Sequence, residues 1–158
     1  MKDVRPTSGL VLSALFNILN MASGAKFLDL FAGTGRVGFE AMKKYSAEVI
    51  FVENIRARAE AIKKSGGFVL NLDVRRAVTW LNKHGHKFNY IFADPPYNSG
   101  WCEIITSFTG LNDLFFDDEA IFIIEHSARE ELKNFGSFEL YSQRQYGETI
   151  LSFLRRAN

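Results

Sequence analysis

Apolar residues in this chain fall into short continuous runs separated by amphipathic stretches. The runs KFLDLF (26–31), EVIFVE (48–53), FVLNLD (68–73), FNYIFAD (88–94) and AIFIIEH (120–126) are rich in β-branched and aromatic residues. Continuous apolarity, without strict alternation, predicts strands covered on both faces. Between them the period changes to that of helices, predicted over 36–45, 55–65, 74–84 and 100–111, with a short one near 128–133. RARAEAIKKSGG carries alanine and lysine in its body and glycines at its exit, a helix C-terminus signal. Ahead of the first strand, TSGLVLSALFNILNMA predicts a helix capped by Thr7 or Ser8, within an N-terminal segment 1–22. At the other end, SFELYSQRQYG and ETILSFLR predict two strands joined at Gly147.

Strand–helix alternation implies an α/β fold with a mostly parallel sheet and right-handed crossovers, its terminal hairpin adding an antiparallel edge. At 158 residues the chain is expected to form one domain, with the α/β core over 26–158. Composition is that of an ordinary globular protein, and a net charge of +1 names no partner. The single cysteine, Cys102, excludes an intrachain disulfide and reads as a half-buried thiol rather than a nucleophile. His84, His86 and His126 show no metal-ligand spacing with it, so no metal is expected. No apolar run reaches the ~18 residues of a membrane span, and MKDVRPTSGL has no secretory h-region. A cytoplasmic monomer is the expectation.

DLFAGTGRVGFEA follows the first strand and opens a helix, with Gly33, Gly35 and Gly38 matching G-x-G-x-x-G in the appropriate context. Such glycines let the backbone turn tightly and approach a ligand, or simply pack helix on strand. Glu53 ends the second strand 18 residues after Gly35, where a carboxylate can accept both hydroxyls of a ribose. That geometry serves NAD and S-adenosyl-L-methionine alike. Asp29, just before the glycine turn, and Asp73, ending the third strand, shift the balance. Asp29 could meet an ammonium and Asp73 an adenine amino group. An acid-rich mouth suits a cofactor carrying ammonium and sulfonium charges and no pyrophosphate.

Asp94 ends the fourth strand, and DPPY (94–97) follows at the ligand-binding edge. Pro95 and Pro96 fix φ and remove N–H groups, and Asp94 is pushed to an extended conformation. The loop then presents acceptors: the Asp94 carboxylate and the Pro95 carbonyl. Two fixed acceptors suit a substrate amino group, whose nitrogen becomes a better nucleophile as it turns pyramidal. Tyr97 offers a face on which an extruded base can stack.

Together DLFAGTG and the downstream DPPY resemble the class I S-adenosylmethionine-dependent methyltransferases. Within them, RPTS, ALFNIL, FVE, the EH after the fifth strand and YGETILSF make the chain similar to the RsmD family of 16S ribosomal RNA (guanine-N2)-methyltransferases. The resemblance implies a Rossmann-like fold of seven strands, the last antiparallel, with helices on both faces. It implies cofactor contacts at Asp29, Phe31, Gly33, Gly35, Glu53 and Asp73, and catalysis at Asp94, Pro95, Pro96 and Tyr97. It implies 16S rRNA as partner, and the net charge of +1, which leaves few phosphate contacts, adds the expectation that this RNA is met in small-subunit particles or assembly intermediates. Substrate contacts are expected at Arg5, Thr7 and Arg36, with Lys2, Arg155 and Arg156 as further basic candidates. Two departures bear on the substrate. The family's basic hairpin before RPT is not seen, and Gly9, Leu10, Leu12 and Ser13 stand at usually charged positions. Leu10 and Leu12 cannot both face one core, so one is expected to be exposed. Alternatives are a DNA adenine-N6 methyltransferase, a nicotinamide enzyme and a non-catalytic cofactor-binding module. The lack of a visible recognition domain argues against the first, Asp29 and DPPY against the second, and an intact DPPY against the third.

Overall fold

In the computed structural model, which describes residues 8–158, helix α1 (Gly9–Leu19) precedes the sheet. The chain continues through β1 (Lys26–Leu30), α2 (Arg36–Tyr45), β2 (Glu48–Val52), α3 (Arg56–Lys64) and β3 (Phe68–Leu70). It then runs through α4 (Val74–Lys83), β4 (Tyr90–Ala93), α5 (Trp101–Thr106), β5 (Ile121–Ser127), β6 (Phe138–Tyr146) and β7 (Thr149–Arg156). The seven strands are ordered β3-β2-β1-β4-β5-β7-β6. Strands β1 to β5 pair in parallel. β7 is antiparallel to both β5 and β6, so the hairpin places its antiparallel strand one position inside the edge that β6 forms.

Side chains of the central strands alternate between two apolar layers. Leu28, Leu30, Ile91, Ala93, Phe122 and Ile124 join α4 and α5 on one face. Phe27, Phe92, Ile123, Leu151 and Phe153 join α1 and α2 on the other. This two-sided burial is why the strands read as unbroken apolar runs. The period of two also puts Asp29 on the α2 side with Phe27, next to the glycine turn.

Ser8 is the cap of α1, its Oγ accepting the Val11 N–H at 3.2 Å. Leu12 is buried and Leu10 is 70% exposed, so the two leucines divide as their spacing requires. Two expected helices are corrected. The one over 100–111 ends at Thr106, because the Oγ atoms of Thr106 and Ser107 bind the Glu103 carbonyl and Gly110 turns the chain at φ 92°. The one near 128–133 is a turn followed by irregular chain. A segment that short is marginal as a helix, and the His126 ring captures the Ser127 and Glu130 carbonyls instead.

Candidate active site

Strand order reverses between β1 and β4: the chain steps outward through β2 and β3, then returns to the other side of β1. A sheet of this kind opens a crevice at that switch point, beyond the carboxyl ends of its strands. Here the crevice measures about 990 Å³, and Asp29, Glu53, Asp73 and Asp94 all line it.

The glycine loop divides its labour. Gly33 and Gly35 turn the chain at φ 61° and 81°, a region costly for side chains bearing Cβ. Gly38 instead permits close packing, since a Cβ there would stand 2.3 Å from a ring carbon of Phe51. Phe31 also holds a left-handed φ of 56°, a strained value for an aromatic residue. Its ring meets Trp101 edge-on at 5.2 Å, forming an aromatic corner of the cleft.

Glu53 is buried and fixes this loop to β2. Its Oε1 accepts the Gly33 N–H at 2.7 Å and its Oε2 accepts the Ile55 N–H at 2.9 Å. Each carboxylate oxygen has a second lone pair, so hydroxyl donors can still be accommodated. Asp29 is also buried, and its Oδ2 accepts the Gly38 N–H at 3.0 Å. Burial pushes its carboxyl well above the usual range, the Gly38 hydrogen bond opposing and the nearby Glu53 charge adding. Asp73 lines the cleft, but it does not end β3 as expected: that strand stops at Leu70, and Asp73 stands three residues on, at the start of α4. It caps α4, accepting the Arg76 N–H at 3.0 Å, and faces the Arg76 guanidinium at 3.6 Å.

The 94–97 loop leaves β4 with Pro95 buried and Pro96 exposed. The Pro96 carbonyl is taken within the loop by the Ser99 hydroxyl at 2.6 Å. The Tyr97 hydroxyl lies 3.2 Å from Thr149 Oγ1, pinning the ring to the first residue of β7. Asn98 holds φ 54° and donates its N–H to Glu130 Oε1 at 3.2 Å.

Of the substrate candidates, Arg36 opens α2 and lines the cleft, while Arg5 and Thr7 lie outside the described residues, as does Lys2. Arg155 and Arg156 do not join Arg36. β7 starts at the cleft with Thr149 and runs away from it, and eight residues of strand span roughly 25 Å. Arg155 pairs with Glu139 at 2.7 Å and Arg156 with Asp118 at 3.0 Å. Sequence reasoning alone does not single out Trp101, Thr149, Glu130 or the Arg129–Glu148 pair, which is 3.7 Å apart. YGETILSF stands out as a block, but nothing local marks Thr149 as a partner of Tyr97. Cys102 is fully buried rather than half-buried, and burial pushes its thiol up, away from reactivity. Among the described residues no helix is long and apolar enough to cross a membrane, and no cluster of acids, histidines and cysteine could hold a metal.

A seven-stranded sheet in this order, with a glycine turn after β1 and acids along its carboxyl edge, defines an S-adenosylmethionine-dependent methyltransferase of the Rossmann-like kind. The chain belongs to the family described as conserved hypothetical protein 95, the RsmD family, whose model matches residues 1–155. It is 28% identical to the ribosomal RNA small subunit methyltransferase D of Escherichia coli K12, over 97% of this chain and 80% of that protein. It superposes with a TM-score of 0.79 on the yhhF protein of Escherichia coli, at 28% identity, covering 99% of this chain and 90% of that one. An RNA methyltransferase from Salinibacter ruber, solved with S-adenosyl-L-homocysteine, shares the fold at 10% identity, with a TM-score of 0.73 over 98% of this chain and 95% of that one.

Proposed function

We propose that this protein transfers the methyl group of S-adenosylmethionine to the exocyclic N2 amine of a guanine in 16S rRNA of the small ribosomal subunit. One observation carries the reading: the rigid 94–97 loop and the acids Asp29, Glu53 and Asp73 line one continuous cleft. The kinship with small-subunit rRNA methyltransferases supports the choice of RNA.

The residues present suit the cofactor. A cleft of about 990 Å³ falls at the upper end of the usual range for small-molecule sites. Its acids complement two positive charges, and Glu53 keeps acceptor capacity for ribose hydroxyls beyond its two backbone bonds. When bound, the cofactor supplies an electrophilic methyl group on a sulfonium. Glu53 and the glycine turn would hold its sugar, Asp29 would meet its ammonium and Asp73 would meet its adenine.

The Asp94 carboxylate and the Pro95 carbonyl accept the two N–H groups of the target amine. This draws its lone pair out of conjugation and aims it along the transfer line. Tyr97, fixed through Thr149, stacks on the extruded base. Asp94 is also the near base for the proton that the amine loses once methylated. Rigidity matters because transfer needs a near-attack geometry.

The test is transfer of tritiated methyl groups to small subunits, to protein-free 16S RNA and to DNA, all lacking the modification. Label on rRNA guanine N2 is expected, and label on DNA adenine alone would overturn the assignment. Calorimetry should find S-adenosylhomocysteine bound and NAD not bound; tighter NAD binding would remove the cofactor reading.

A further inference from the structure

The paired prolines leave a problem of anchorage. Pro95 and Pro96 cannot donate, so past Asp94 the first backbone donors are those of Tyr97 and Asn98. The Asn98 N–H goes to a carboxylate outside the loop, Glu130 Oε1, at 3.2 Å. Glu130 is itself held. Its N–H donates to the Ser127 carbonyl at 3.0 Å, and its carbonyl accepts from His126 Nδ1 at 2.9 Å. The other ring nitrogen, His126 Nε2, lies 2.8 Å from Ser152 Oγ, which also receives the Gln143 amide at 2.9 Å. The imidazole is thereby clamped between β5, β7 and β6.

Glu130 thus stands where the rigid half of the sheet meets the 94–99 loop. Asn98 occupies a left-handed φ of 54°, a conformation that asparagine adopts more readily than most residues bearing a Cβ, and its N–H is turned to Glu130 Oε1. We propose that Glu130 is the positioning residue of this enzyme. Its carboxylate, braced through His126 on the β5–β7–β6 platform, sets the downstream end of the 94–99 loop and so the angle at which Asp94 and Tyr97 meet the base. The proposal rests on the reading of 94–97 as the amine-binding loop, and it needs no contact between Glu130 and substrate.

The experiment compares wild type, Glu130→Ala and Glu130→Gln. Glutamine keeps an oxygen acceptor for Asn98, whereas alanine keeps none. Two readouts are taken: amide hydrogen exchange at Asn98, and methyl transfer with kcat and KM separated. Glu130→Ala should speed Asn98 exchange at least tenfold and lower kcat by about 10- to 100-fold. The affinity for S-adenosylhomocysteine should stay within about twofold, and Glu130→Gln should recover most of both losses. Unchanged Asn98 exchange in a folded Glu130→Ala protein would overturn the anchor, whatever the substrate proves to be. Faster exchange with unaltered kcat would overturn its role in positioning. A glutamine variant as impaired as the alanine one would also overturn it, since charge, and not acceptance from Asn98, would then be what matters. Failure of wild type to methylate rRNA would count against the proposed function alone, since the exchange readout does not depend on turnover.

Discussion

Asp29 is a buried acid in an otherwise apolar strand, and its pH behaviour follows from that. Burial raises its carboxyl above the ordinary carboxylate range. Between the unfolded value and the raised one, the folded chain keeps a proton that the unfolded chain has released. Stability therefore falls as pH rises across that window. Asn still accepts the Gly38 N–H but cannot ionise, so Asp29→Asn should flatten this slope in ligand-free protein and weaken cofactor binding. Thermal midpoints measured from pH 4 to pH 8 check it; equal slopes in both proteins would sink the argument. Glu53→Ala strands the buried Gly33 N–H as well as any sugar hydroxyls, so calorimetry should show S-adenosylhomocysteine affinity lower by about 1–3 kcal/mol. Asp94→Ala should abolish transfer and leave that affinity nearly intact. Tyr97→Ala should lose stacking of ~1–3 kcal/mol, whereas Tyr97→Phe keeps the ring and gives up its hydroxyl link to Thr149, about 0.5–1.5 kcal/mol. Activity retained by Asp94→Ala would end the two-acceptor account of the loop. The place of these residues in the cleft was legible because Glu53 and Asp94 directly follow strands, Tyr97 begins a turn and Asp29 interrupts an apolar run. Glu130 and Thr149 were not, because their partners lie 32 and 52 residues away in sequence.

At the scale of elements, the G-x-G-x-x-G stretch carries two separate requirements. Gly33 and Gly35 serve the turn, while Gly38 serves the contact between α2 and β2, against Phe51 and Val49. Gly38→Ala should therefore destabilise by about 1–3 kcal/mol as α2 is pushed off the sheet, despite the better helix propensity of alanine. Denaturant unfolding checks this, and a stabilised Gly38→Ala protein would mean that the helix can slide at no cost. The strands were legible for a related reason: apolar residues on both faces leave little ambiguity of type. The helices were less so where side chains compete for backbone groups. Nothing in TSFTGLND announces that Thr106 and Ser107 take the Glu103 carbonyl and end α5. Nor does SAREEL announce that the His126 ring occupies the carbonyls a helix would need.

For the whole molecule, the proposed substrate raises the question of how a chain with a net charge of +1 would hold RNA. The cleft is lined by six carboxylates and only three arginines, Arg36, Arg58 and Arg129, among the described residues. Arg129 faces Glu148, and Arg155 and Arg156 lie at the far edge of the sheet, paired with acids of their own. The fold class could be read from the order of elements, but this segregation of charge could not, because the acids that pair with Arg155 and Arg156 lie 16 and 38 residues away in sequence. Acids at the mouth favour the cationic cofactor and repel phosphates. Few phosphate contacts then form, so affinity for protein-free RNA should be weak, with a shallow salt slope of about −0.7 per phosphate engaged. A weakly held base must be brought to the 94–97 loop already exposed, and a preassembled ribonucleoprotein can do that. Small-subunit particles or assembly intermediates should accordingly be methylated faster than deproteinised 16S RNA. The comparison uses unmethylated particles and the RNA extracted from them, at matched concentration and ionic strength. Faster methylation of the deproteinised RNA, or a steep salt slope on it, would show that this chain makes its own phosphate contacts and needs no presenting particle.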